Sequence, residues 1–225
     1  MMQGSRNFVA EVIGTFGLIF FGAGAIMQQQ TTQSVGTTGI AVAHGLAILI
    51  GVYAFGHISG GHFNPAVSFG MMLTRRINLP KMIAYWIAQL LGATLAALML
   101  SHIYQGGPVD VHLGTPAIDP TIGARMGFFI EAVLTFFLVI TVFGVAVDSR
   151  ASTNFAGIAI GFAIIVDVLM GGALTGAAMN PARAFGPALI SHYWQDQWVY
   201  WAGPLVGGGV AAILYDRFFL ARRAA

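Results

Sequence analysis

"GGHFNPAVSFG", residues 60–70, decides the fold, because the chain carries the pattern twice. The second copy is "GAAMNPARAFG", residues 176–186. Each contains an Asn-Pro-Ala turn: Asn64-Pro65-Ala66 in one, Asn180-Pro181-Ala182 in the other. Asn is among the best N-cap residues and Pro is favoured at the first helical position, so both turns read as helix starts. The apolar segments that follow, about 64–73 and 180–190, are half the ~20 residues needed to cross ~30 Å of hydrocarbon. Half-spanning helices cannot end in lipid, so protein must enclose them or they must line a water-filled cavity. One large difference separates the copies: Val67 in the first becomes Arg183 in the second.

The rest of the chain calls for lipid as its solvent. Of 225 residues, 57% are hydrophobic and only 8% charged, against about 25% charged in a soluble domain. The mean hydropathy is +0.78. Long apolar windows predict six spanning helices near 8–27, 38–57, 81–100, 123–146, 156–173 and 198–219, each close to the length a bilayer requires. The first window is too long for a signal-peptide core and reads as a spanning helix. A net charge of +2 makes no case for a nucleic-acid partner, and the absence of cysteine excludes disulfides, thiolate metal sites and a cysteine nucleophile. No HExxH pair and no Ser/His/acid set at one depth points to catalysis.

Lys and Arg set the orientation. Arg6, Arg75, Arg76, Lys81, Arg150, Arg217, Arg222 and Arg223 fall on one side if the chain starts inside, and both termini are then cytoplasmic. Arg125 is the main exception. The segment 101–122, with Pro108, Pro116 and Pro120, reads as an outer loop rather than a domain. "AEVIGTFGLIFF" at 10–21 answers "IEAVLTFFLVIT" at 130–141. Aligning the Asn-Pro pairs brings Gly45, Gly60, Phe69 and Gly70 onto Gly161, Gly176, Phe185 and Gly186. The single domain, 1–225, thus reads as repeats over about 7–105 and 123–222. Three crossings per half force the second half upside down, so the half-helices point their N-termini at each other near the midplane. Each N-terminus carries about half a positive charge, and the facing pair repels cations. A pore or a substrate site is the expected use.

The two Asn-Pro-Ala turns, the six spans, the inverted repeat and a glutamate in the first and fourth spans resemble the aquaporin, or major intrinsic protein, family. The resemblance covers nearly the whole chain. It implies an all-α membrane protein with six transmembrane and two half-spanning helices. It also implies homotetramers with a pore in each subunit, no cofactor, no metal and no catalytic residues. Water would pass in single file while the midplane field and the two asparagines break the proton wire. It places an outer constriction at His44, Val168, Ala177 and Arg183, and has Glu11 and Glu131 accept hydrogen bonds from the loops leading into the half-helices. Strictly water-selective members have Phe at the His44 position and His at the Val168 position. The combination here is similar to plant tonoplast intrinsic proteins, as are "AFGP" (184–187) and "QWVYWAGPLVGGG" (197–209). Such members include water and ammonia channels. Valine in place of histidine, with alanine at 177, should widen the gate. The glycerol-facilitator branch is less similar, since it has Asp where this chain has Ala184 and a Pro-Leu type pair at Tyr200-Trp201.

Arg183 also stands on its own chemistry: an unpaired arginine in lipid costs several kcal/mol, so it must face a pore or a partner. The carbonyls of Gly60, Gly61, His62, Gly176, Ala177 and Ala178 are expected to line the lumen. His57 and His62 read equally as pore-lining groups or as loop packing. Asp167 could bond a neighbouring helix or a subunit partner, or bend toward the pore mouth, and His112 could reach over the vestibule. The rival to a passive channel for water and small neutral solutes is a secondary transporter, in which Glu11 and Glu131 would couple protons. The short termini favour a cell membrane over a vacuolar one.

Overall fold

Apolar side chains cover the outside of this molecule, while several polar ones lie fully buried in its interior. Ile50 and Val166 are each 62% exposed, whereas Glu11, Gln89, Glu131 and Thr135 are fully buried. That inversion is stable only if lipid surrounds the bundle. A computed structural model describes residues 2–105 and 109–220; Pro108, Arg222 and Arg223 lie outside the described residues.

Eight α-helices follow in order: α1 Met2–Thr32, α2 Gly36–Ser59, α3 Pro65–Leu73, α4 Leu79–Ile103, α5 Gly123–Val142, α6 Ala156–Thr175, α7 Pro181–Ser191 and α8 Val199–Leu214. No strand occurs among the described residues. The two shortest are the half-helices. Asn64 and Asn180 both sit in extended backbone at φ −153, and their side chains accept from the N–H groups of Ala66 and Ala182. Proline occupies the first turn of each, where its missing N–H costs nothing.

Two spans depart from the apolar windows. α1 continues beyond Met27 through a glutamine and threonine run, because Thr31 and Thr32 bond back to Met27 O and Gln28 O. The Gln29 side chain then accepts from the N–H groups of Val35 and Gly36 and turns the chain into α2. Among the described residues, five helices are long and apolar enough to cross a membrane by length and composition. The sixth, α8, is α-helical only to Leu214 and reaches the inner face through a π-helical turn, Tyr215–Phe219. Here "inner" denotes the face where α1 begins. α5 ends the same way, in a π turn at Phe143–Val147.

α1 packs on α2 and α4, and α5 packs on α6 and α8; α2 against α6 joins the halves. Gly45 and Gly161 make that central crossing possible. A Cβ on Gly45 would lie 2.4 Å from Gly161 O, and one on Gly161 would lie 2.8 Å from Gly45 O.

A polar cluster closes the inner face. Arg76 donates to Asp216 at 2.8 Å, and its guanidinium lies 5.1 Å from the centre of the Phe143 ring. Arg150 chelates Asp148, whose Oδ2 also accepts from Tyr215 Oη at 3.2 Å. The Arg150 side chain and then its backbone N–H hold the Asp148 carboxyl below its ordinary range. A depressed carboxylate stabilises the fold above its unfolded pKa of about 3.9 and loses that contribution as pH falls through the folded value. Asp148→Asn should therefore melt lower than the parent at pH 7, with the gap closing below about pH 4. Thermal unfolding across pH checks this; a gap independent of pH would assign the contribution to packing instead.

Candidate functional site

The two loops entering the half-helices are built alike. Glu131 Oε1 accepts from Thr175 Oγ1 at 2.7 Å and Ala178 N at 2.9 Å, and Oε2 accepts from Met179 N at 2.7 Å. Glu11 Oε1 accepts from Ser59 Oγ at 2.7 Å and His62 N at 3.0 Å, and Oε2 accepts from Phe63 N at 2.7 Å. Glu11 Oε2 takes a further bond, 2.8 Å from Gln89 Nε2. Tyr85 and Tyr200 donate to Ser59 O and Thr175 O. These bonds hold an unusual backbone. Gly61 has φ +63 and Phe63 φ +48 in one loop; Ala177 has φ +42 and Met179 φ +52 in the other. Left-handed backbone costs a side-chain-bearing residue roughly 1–2 kcal/mol, so the carboxylates stabilise a loop that would otherwise relax.

The asparagines tie the two loops together. Asn64 Nδ2 donates to Met179 O at 2.8 Å, and Asn180 Nδ2 donates to Phe63 O at 2.9 Å. The amides are thus not wholly free to face a solute. One N–H of each is spent across the midplane, and each NH₂ retains a second donor. Both asparagines line an internal chamber of about 450 Å³.

That chamber runs from Arg76 and Ile77 at the inner face, past Leu138 and Ile164, to Arg183. Gly60, Gly61, His62, Ala177 and Ala178 line it too. A second chamber of about 290 Å³ opens on the outer side and is lined by Val168, Gly176 and His112. His44 and Arg183 line both chambers and mark their junction. Val168 stands on the outer side of the junction and Ala177 on the inner. Only His44 and Arg183 are thus shared by the two chambers.

Arg183 is 1% exposed. It makes no salt bridge; the described ion pairs are Arg76–Asp216 and Arg150–Asp148. Nη1 donates to Gly114 O at 2.7 Å, while Nε and Nη2 have no partner among the described residues. His44 Nδ1 lies 2.9 Å from Ile40 O. A carbonyl can only accept, so Nδ1 carries the proton and Nε2 is left as an acceptor. The ring rests on Gly22, where a Cβ would lie 2.5 Å from His44 Cδ2.

Sequence reasoning did not find Gly114. The segment it reads as a mere loop makes a short 3-10 turn at Val109–Gly114 and delivers that carbonyl to the arginine. Thr115 then bonds back to His112 O. His112 stacks on Tyr193 with ring centres 4.0 Å apart. His62 faces the inner chamber and bonds Ser68, whereas His57 lies in an outward groove beside Arg6. Asp167 is buried, lines neither chamber, and leaves Oδ2 without a partner.

Two facing caps, two buried glutamates and a junction holding one arginine match one known architecture. The sequence fits the family model for major intrinsic protein over residues 1–215. The chain belongs to the major intrinsic protein family. Aquaporin TIP4-4 of Zea mays is 43% identical across 96% of this chain and 88% of its own length. Aquaporin TIP1-1 of Arabidopsis thaliana is 42% identical across 94% and 86%. The X-ray structure of the aquaglyceroporin from Plasmodium falciparum superposes with a TM-score of 0.85 at 29% identity, covering 96% of both chains. This major intrinsic protein is accordingly a multi-pass membrane channel with the aquaporin fold of six spanning and two half-spanning helices.

Proposed function

We propose that this channel passively conducts water, and also ammonia or other small neutral solutes, through a relatively wide outer filter made by His44, Val168, Ala177 and Arg183. The observation that carries the reading is the junction of two chambers at His44 and Arg183. Arg183 offers Nε and Nη2 to a passing solute, and His44 offers an acceptor. The fixed guanidinium charge repels cations. Val168 contributes bulk without polarity, so that side of the filter neither narrows the opening nor grips water tightly.

Below the filter, the N-termini of α3 and α7 face each other, each with a partial positive charge. The second amide N–H of Asn64 and of Asn180 orients the oxygen of a central water toward the caps. That water then donates outward in both directions and cannot relay a proton. Carbonyls of Gly60, Gly61 and His62, and of Gly176, Ala177 and Ala178, supply acceptors on either side. Glu11 and Glu131 act as scaffold. Repeats over about 7–105 and 123–222 form one domain, which assembles as a homotetramer with a pore in each subunit. Both termini are cytoplasmic and the membrane is that of the cell.

Stopped-flow shrinkage of proteoliposomes tests the reading. A low activation energy and independence from ion gradients are expected. Saturation with an ion-gradient response would establish a secondary transporter, and permeability equal to empty liposomes would sink the channel. The filter has its own test. His44→Phe with Val168→His should lower ammonia or methylamine flux about tenfold more than water flux, a difference near 1.4 kcal/mol in barrier. Equal loss of both fluxes would refute a wide gate.

A further inference from the structure

Arg125 is the cation that breaks the charge bias of the sequence, and it has no ion-pair partner among the described residues. It occupies the first turn of α5, a turn without an acidic residue. A cation in that position is opposed by the helix dipole. Arg125 takes part in neither ion pair among the described residues. It instead forms the rim of a recess of about 590 Å³, whose other walls are Phe128, Phe129 and Trp198. Phe129 and Trp198 are 55% and 54% exposed. Trp198 stacks on Phe128, with ring centres 6.1 Å apart and planes 20° from parallel.

The depth is that of a lipid headgroup. α5 and its π turn together form a span of 25 residues, Gly123–Val147. At 1.5 Å per residue that is about 37 Å, longer than ~30 Å of hydrocarbon, so the outer end emerges among the headgroups. Tryptophan at this level is an interface anchor. A guanidinium matches a phosphate in shape and charge, and accepts it through two parallel hydrogen bonds. The recess therefore offers one anion-binding group above an apolar, aromatic wall that runs toward the hydrocarbon.

We propose that this recess binds one anionic glycerophospholipid of the leaflet opposite the α1 start, with its phosphate on Arg125 and an acyl chain against Phe129 and Trp198. Arg125 lies outside both pore chambers, so the site is independent of conduction. Trp198 is a built-in reporter. The full chain would be reconstituted in phosphatidylcholine vesicles holding increasing fractions of phosphatidylglycerol with brominated acyl chains. The Trp198 signal is obtained by difference against Trp198→Phe. Half-maximal quenching is expected at about fivefold less brominated phosphatidylglycerol than brominated phosphatidylcholine, the effect of one basic side chain on an anionic lipid. Arg125→Gln should abolish the preference, Arg125→Lys should retain part of it, and water flux should be unchanged in both. Equal quenching by the two lipids in the parent, or a preference that survives Arg125→Gln, would overturn the proposal. So would absence of quenching by either lipid, which would mean that a neighbouring subunit covers the recess.

Discussion

Gly207→Leu is expected to yield no folded channel. α5 and α8 cross so closely that a Cβ on Gly207 would lie 1.9 Å from Ala132 O and 2.7 Å from Ala132 C. Those are backbone atoms in the middle of a helix, and no rotamer change can move them. The helices would have to separate by more than an ångström along the crossing, which also takes Gly203 off the Glu131 Cβ and Gly208 off Val139. Overpacking a tight interior costs about 1–3 kcal/mol for far smaller insertions, and a typical fold holds only about 5–15 kcal/mol in reserve. Gly92→Leu should behave alike, because its Cβ would lie 2.3 Å from Val12 O in the matching crossing of α4 on α1. Gly17→Ala is the control. Nothing lies within 4 Å of that Cβ, and alanine is the better helix former by about 0.5–1 kcal/mol. Size-exclusion profiles after mild extraction check all three. A monodisperse, water-permeable Gly207→Leu channel would contradict the close crossing.

These crossings also show how far the sequence carries. Val12 follows Glu11 and Ala132 follows Glu131, so the two glycines touch equivalent carbonyls in the two halves. The pairing of the glutamates was legible because each is a costly carboxylate inside an apolar span, at matching places in the two halves. The half-helices were legible because Asn-Pro at a helix start is a local signal. Helix ends were less so: α1 runs on through Gln28–Thr32 because those side chains satisfy backbone groups, which hydropathy cannot see. The Gly114 carbonyl beneath Arg183 was not legible at all. It reaches the arginine from a loop 69 residues away, through a turn whose His112 and Leu113 adopt left-handed φ values of +43 and +57. That conformation is uncommon for leucine and a minority state even for histidine, so no local pattern announces it. The bonds between each asparagine and the opposite loop were hidden for the same reason. They join residues 115 and 117 positions apart, and only the folded inversion brings them together.

Glu131→Ala should reduce water permeability to that of the bare lipid bilayer. The carboxylate is fully buried and is the acceptor for Thr175 Oγ1, Ala178 N and Met179 N. Removing it orphans three buried donors at about 1–3 kcal/mol each. The strain held at Ala177 and Met179 adds to this, and relaxation of that loop moves Asn180 and, three residues on, Arg183. The filter then loses the group that binds Gly114. Glu131→Gln separates scaffold from chemistry. With its carbonyl in the Oε1 position it keeps Thr175 and Ala178 and loses only Met179, so a folded protein with reduced but measurable flux is expected. A proton-coupling carboxylate behaves in the opposite way: glutamine would leave the fold intact and abolish any response to a pH gradient. Parallel water flux with and without such a gradient, in the parent and in Glu131→Gln, decides between them. Gradient-independent flux in both supports a structural carboxylate, and a gradient response lost on substitution would replace the channel with a transporter. Glu11→Ala extends the argument to the other half. It removes the acceptor of Ser59 Oγ, His62 N, Phe63 N and one N–H of Gln89 Nε2, whose other bond to Ser68 Oγ remains; that is one bond more than its twin loses. Its effect on stability should therefore be at least as large, even though Val67 rather than an arginine stands three residues past the asparagine in the half-helix it supports.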